Sequence, residues 1–172
     1  MATRNFLVTA LGVAAVALLM AGCEKLFTGE ALPRLAVSEN EAGGYGPVVI
    51  ALAPEMSPVA INFSARHGYD PSELDKWNDY RATLSRNGQE IATGLFSINH
   101  TGTLDMPDGS PYIIDNMLTV RVDEPGDYEL VITPTKPVEV KLHDTRIEVR
   151  RNIQDVDGLY SQQSSRQRMP GG

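Results

Sequence analysis

The chain contains one cysteine, one tryptophan and three histidines in 172 residues. A lone thiol excludes an internal disulfide and any Cys-x-x-Cys redox or zinc site, so the fold must be held by its core. The histidines, His67, His100 and His143, stand far apart, and none belongs to a His-Glu-x-x-His pattern. No serine is framed as Gly-x-Ser-x-Gly, and Ser-x-x-Lys does not occur. These gaps argue for a protein that is not an enzyme and carries no cofactor. A basic surplus is also missing: the formal net charge is −7, which argues against nucleic acid as a partner. Nor is there a long apolar run. Phe6 to Gly22 is shorter than the roughly 20 residues a spanning helix needs, and Glu24 and Lys25 follow at once.

What stands at the start is a secretory signal. Arg4 supplies a positive beginning, Phe6 to Met20 is apolar and uncharged, and the small residues Ala21 and Gly22 precede Cys23. Leu19-Met20-Ala21-Gly22-Cys23 resembles the lipobox of bacterial lipoproteins, with Met20 where that family usually has Leu. The resemblance implies that the Cys23 thiol receives a diacylglycerol, that the signal is cut before it, and that the new amino terminus is acylated. It also accounts for an odd cysteine in an exported chain. Each buried methylene contributes about 0.8 kcal/mol, so two or more acyl chains make the bilayer a permanent partner. An Asp after the lipidated cysteine would imply retention in the inner membrane; Glu24 stands there, and the resemblance favours the outer membrane, facing the periplasm. Cutting before Cys23 removes 22 of the 172 residues, leaving 150, and takes the net charge from −7 to −8 because Arg4 is lost and no acid with it. That length suits one domain with tails.

Residues 23–46 read as the lipidated cysteine and a linker, because apolar residues appear there without sustained period. Gly43-Gly44-Tyr45-Gly46 lacks the Lys-Ser/Thr of a phosphate-binding loop. Residues 151–172 read as a flexible tail, rich from Ser161 onward in Ser, Gln, Arg and Gly.

Between these tails, over residues 47–150, the apolar period is two. Val59, Ile61, Phe63 and Ala65 alternate with Ala60, Asn62, Ser64 and Arg66, as in a strand with one face buried. Tyr80, Ala82 and Leu84 repeat the pattern, and Asn87-Gly88 then offers a type I′ turn. A two-residue loop there predicts Leu84 opposite Ile91, Ala82 opposite Thr93 and Tyr80 opposite Leu95. Leu118, Val120 and Val122 form another alternating set. Val138, Val140 and Leu142 start a last one, and a bulge near His143 to Thr145 would bring Ile147 and Val149 back into phase.

Asp123-Glu124-Pro125-Gly126-Asp127 followed by Tyr128, Leu130 and Ile132 resembles the tyrosine corner of immunoglobulin-like and fibronectin-like sandwiches. The resemblance implies that the Tyr128 hydroxyl returns to upstream backbone; a plain hairpin with a half-buried tyrosine is the alternative. The expected fold is therefore all-β, an antiparallel immunoglobulin-like β-sandwich of about seven strands.

Asp70, Pro71 and Glu73 have the order of a helix start, with an N-cap, an N1 proline and an N3 carboxylate. Asp70, Glu73, Asp75 and Asp79 could instead offer oxygens to calcium, although their spacing is not that of an EF-hand loop. His67 and His100 with Met56, Met106 and Met117 could form a soft site for copper, but methionine is more often core filler. Strands that cross the sandwich once each put the long connections 67–79 and 97–115 at one end, together with Trp77 and Tyr112. Those two aromatics are the candidate partner-binding residues. The reading is a membrane-anchored interaction module of the cell envelope that meets an envelope protein, the alternative being a carrier of a small ligand or metal.

Overall fold

The structure, a computed structural model, describes residues 28–67, 75–98, 103–105 and 111–154, the side chains of 67, 103–105, 111 and 112 excepted. Among these residues the strands are β1 (Glu30–Ala31), β2 (Leu35–Ala36), β3 (Tyr45–Leu52), β4 (Val59–His67), β5 (Asn78–Arg86), β6 (Gln89–Ile98), β7 (Thr103–Asp105), β8 (Pro111–Val120), β9 (Gly126–Pro134) and β10 (Leu142–Arg151). They form two antiparallel sheets. One has the order β1-β10-β4-β8-β7, with β2 also on β10, and the other has the order β3-β9-β5-β6. The fold is the expected β-sandwich with seven long strands, the first of which, β3, begins at Tyr45 inside the stretch read as a linker.

The alternation does the work that it predicts on β4, where Val59, Ile61, Phe63 and Ala65 are fully buried. Their neighbours Ala60, Asn62 and Ser64 are buried as well, because β4 is central and other side chains cover its outer face. Between the sheets lies an aromatic cluster: the Tyr45 and Phe63 rings are 5.0 Å apart, Phe63 and Phe96 5.6 Å, and Tyr80 and Phe96 5.3 Å. Burial of this kind drives the fold, at about 25 cal/mol per Å² of apolar surface removed from water.

Strands β4, β8 and β7 lie side by side in one sheet and β9, β5 and β6 in the other, whereas the edge strands do not follow the expected immunoglobulin-like order. The edges are exchanged. An immunoglobulin domain pairs its first strand with its second and its last with its penultimate one; here β3 pairs β9, and β10 pairs β4. Residues 135–141 therefore carry the chain from one sheet to the other instead of turning back within one.

The tyrosine corner is present. The Tyr128 hydroxyl donates to the Glu124 carbonyl at 2.7 Å, and the ring is buried at the head of β9. The bulge on β10 is present too: the register with β4 shifts between His143 and Arg146, and Asp144 has φ +47°. With that bulge, Ile147 and Val149 face the core.

The β5–β6 register departs from expectation. The turn has the expected positive φ at Asn87 (+52°) and Gly88 (+77°), and Arg86 pairs with Gln89 and Ser85 with Glu90. A bulge at Ile91 then shifts the ladder, so that Leu84 lies opposite Ala92, Ala82 opposite Gly94 and Tyr80 opposite Phe96. One extra residue exchanges the faces of everything after it. Phe96 and Ile98 enter the core, and Leu95 is left 70% exposed. The seam between the sheets explains the preference. A Cβ at Gly94 would collide with the Met117 carbonyl, so only glycine lets β6 approach β8 so closely there. The last strand, expected from Val138, begins at Leu142 because the backbone at 139 and 140 bonds to a side chain instead.

Within the stretch read as a linker, β1 and β2 run along β10, and the Leu32 and Val37 amides donate to the Val149 and Thr145 carbonyls. Arg34 bonds the buried Glu148 at 2.7 Å, and Arg150 bonds its other oxygen at 3.1 Å. Burial alone would push the Glu148 carboxyl up, but the two guanidinium groups outweigh it and hold it below the usual carboxylate range.

Candidate functional site at the loop end

Strand directions sort the connections. The antiparallel pairings place the head of β5, the head of β8 and the 135–141 crossover at one end, with the Asn87-Gly88 turn and residues 121–125 at the other.

The loop end is built on Asn78, the first residue of β5. It has the same parity as Tyr80, Ala82 and Leu84, so its side chain points inward and is 1% exposed. Its carbonyl oxygen accepts from the Glu139 and Val140 amides, both at 2.9 Å. Its amide nitrogen donates to the Val140 carbonyl at 2.7 Å and to the Tyr80 hydroxyl at 3.0 Å. All four of its hydrogen-bonding sites are used, so the side chain acts as one more strand neighbour for the crossover. Tyr80 also meets the Tyr45 hydroxyl, and burial pushes both phenols up, Tyr45 the further.

Trp77, one residue earlier, has the opposite parity and points out. It is 46% exposed, yet both ends of its indole are held. The ring nitrogen donates to an Asp79 oxygen at 3.1 Å, and the Lys136 ammonium sits 3.8 Å from the ring centroid. Lys136 is fixed in turn by Glu139 at 2.9 Å and Asp79 at 3.8 Å, while the other Asp79 oxygen accepts from Ser97 at 2.5 Å. The Thr135 amide closes the group on the Asp79 carbonyl at 2.8 Å. A cation over an indole face contributes about 0.5–1 kcal/mol at an exposed site. Nearby, Val138 is another large apolar side chain left open, at 37%. The arrangement presents an aromatic plate in one orientation, with cation and carboxylates beside it.

Tyr112, the other candidate, lies on the same end by its backbone, paired with Arg66 of β4 and Leu104 of β7; its side chain is outside the described residues. Cys23, Asp70, Glu73, His100 and Met106 are outside them too, as is the side chain of His67. Of the other calcium and copper candidates, Asp75 is exposed, Asp79 is taken up by Trp77, Ser97 and Lys136, and Met117 is core. Among the described residues no three His, Cys, Asp or Glu come together as a metal site, and no helix is long and apolar enough to cross a membrane. Sequence reasoning missed Asn78, Lys136 and Glu139. The signal for Asn78 was its parity, a polar residue on the inward face of an apolar strand.

The fold and this end define an all-β sandwich with an ordered, exposed aromatic on its loops. Comparison with protein-family models, with curated proteins and with solved structures finds no match to the chain.

Proposed function

We propose that the protein is a lipid-anchored, non-catalytic binding module of the bacterial cell envelope, held at Cys23 on the periplasmic face of the outer membrane. Its partner is an envelope protein, received by the loop end around Trp77. The observation that carries the reading is the state of Trp77: a large apolar side chain half in water, immobilised by Asp79 and Lys136. Ordering a side chain on binding costs about 0.5–1.5 kcal/mol, and a residue ordered beforehand avoids that cost. Tryptophan is among the side chains that dominate binding energy. The lipobox-like stretch and the lone cysteine support the anchor, and Glu24 supports the outer membrane.

Photo-crosslinking in the producing cell tests the reading, with a benzophenone side chain placed at Glu139 or at Gln89. Adducts are expected from position 139 and not from 89, and Trp77→Ala should abolish them with the melting midpoint unchanged. Equal adducts from both ends, or adducts indifferent to Trp77, would remove the case for this surface.

A further inference from the structure

Thr28, the first described residue, is fixed to the end of the sandwich opposite Trp77, and a continuous series of bonds shows it. The Arg150 guanidinium donates to the Thr28 carbonyl at 2.9 Å, and the Thr28 hydroxyl accepts from the Gln154 amide at 3.0 Å. The neighbouring Ile153 amide bonds the Pro58 carbonyl at 3.1 Å. Ser57 accepts from the Val122 amide at 2.8 Å, and Arg86 reaches both the Glu124 carboxylate and the Pro125 carbonyl beside the Asn87-Gly88 turn. From there β5 runs back through nine residues to Asn78. At about 3.3 Å per residue the two ends are about 30 Å apart.

Five Cα steps separate Cys23 from Thr28, and a fully extended chain of that length covers at most about 18 Å. An anchor on Cys23 therefore leaves the sandwich too little chain to reverse itself freely. Resting on the anchored reading above, we infer that the protein stands on the bilayer with the 87–88 and 121–125 end towards the headgroups and Trp77 facing away. The partner is then one approached from the aqueous side, not one embedded in the same membrane. The surfaces agree with this orientation. The large exposed apolar side chains among the described residues are Leu35, Val49, Trp77, Leu95 and Val138, and none lies at the Thr28 end. That end rests on headgroups without inserting. The mature net charge of −8 opposes lying flat on an anionic leaflet.

The single tryptophan makes the orientation measurable in the full-length protein produced in a bacterium and purified from its membranes. Intact mass reports whether Cys23 carries acyl chains. The protein is placed in phosphatidylethanolamine/phosphatidylglycerol vesicles that hold a small fraction of dansyl-headgroup lipid. Energy transfer is read from native Trp77 and, separately, from Gln89→Trp in a Trp77→Phe background. Gln89 is exposed at the anchor end, and matching melting midpoints show that the variant is folded. Transfer several-fold higher from position 89 than from Trp77 is the expected result. Equal transfer, or more from Trp77, overturns the orientation and would mean that the indole meets the membrane. A mass without acyl chains overturns the anchor itself. The lone thiol is then coupled to a maleimide lipid, and the same two efficiencies still decide the orientation.

Discussion

Replacing Asn78 with alanine is the sharpest test of how the loop end is built. The side chain is 1% exposed and makes four hydrogen bonds, and Val140, which supplies two of the partners, is 3% exposed. The substitution strands the Val140 amide and carbonyl in the interior, at about 1–3 kcal/mol for each unsatisfied buried group. The other two losses are milder: Glu139 has an open side and its amide can turn to water, and Tyr80 keeps Tyr45. Partial relaxation of the crossover reduces the sum, so the expected loss is about 3 kcal/mol. In urea, with an m-value of about 1.5 kcal/mol per M, the midpoint should fall by about 2 M with m unchanged. Hydrogen exchange localises the effect: the Glu139 and Val140 amides should lose protection far beyond the global change, while amides in β4 should follow it. A loss under about 1 kcal/mol, with those two amides still protected, would refute the view that this side chain holds the crossover.

Tyr128→Phe removes the donor to the Glu124 carbonyl and should lower stability in urea by about 1–3 kcal/mol, with less effect if water reaches that carbonyl. Gly94→Ala should cost about 1–3 kcal/mol by overpacking the β6–β8 seam, and a neutral result would show that the sheets part there easily. Because the folded Glu148 carboxyl lies below the ordinary carboxylate range, its contribution is present above that range and lost as pH falls through the folded value. Protection of the Leu32 and Val37 amides, relative to their intrinsic exchange rates, should therefore fall in wild type as pH drops below about 4. Glu148→Gln should lower that protection at neutral pH, converge on wild type in acid and so flatten the dependence.

The parts of the fold legible in the sequence are those written in side-chain parity. Val59 to Ala65 announce β4, and the phase break between Leu142 and Ile147 announces the bulge on β10 that the structure contains. Tyr128 after a Pro-Gly turn gave the corner, because local order and tertiary role coincide there. The β5–β6 register was not legible beyond its turn. Asn87-Gly88 fixes the first two pairs, but the bulge at Ile91 is set by the need for Gly94 at the seam and Phe96 in the core, and the groups these two meet, Met117 and Phe63, lie in the other sheet. The exchange of edges by β3 and β10 is likewise a property of partners distant in sequence, with no local mark. At the site, Trp77 was found by its residue type and by its place on a long connection at one end of the sandwich. Lys136 and Glu139 were not, because about sixty residues of sequence separate them from the indole they steady.

The place of β10 has a consequence for how the protein is made. The last long strand among the described residues is interior to its sheet, with β4 on one side and β1 and β2 on the other. Its partners at Glu30 and Leu35 are synthesised more than a hundred residues earlier. A growing chain cannot finish that sheet until Arg151 has left the ribosome, so early folding from the amino terminus is closed to it. A truncation before Leu142 would do more than shorten the protein. It would open the edge of β4 along its whole length and release the amino-terminal segment, adding a long unpaired edge to those that β3 and β6 already present.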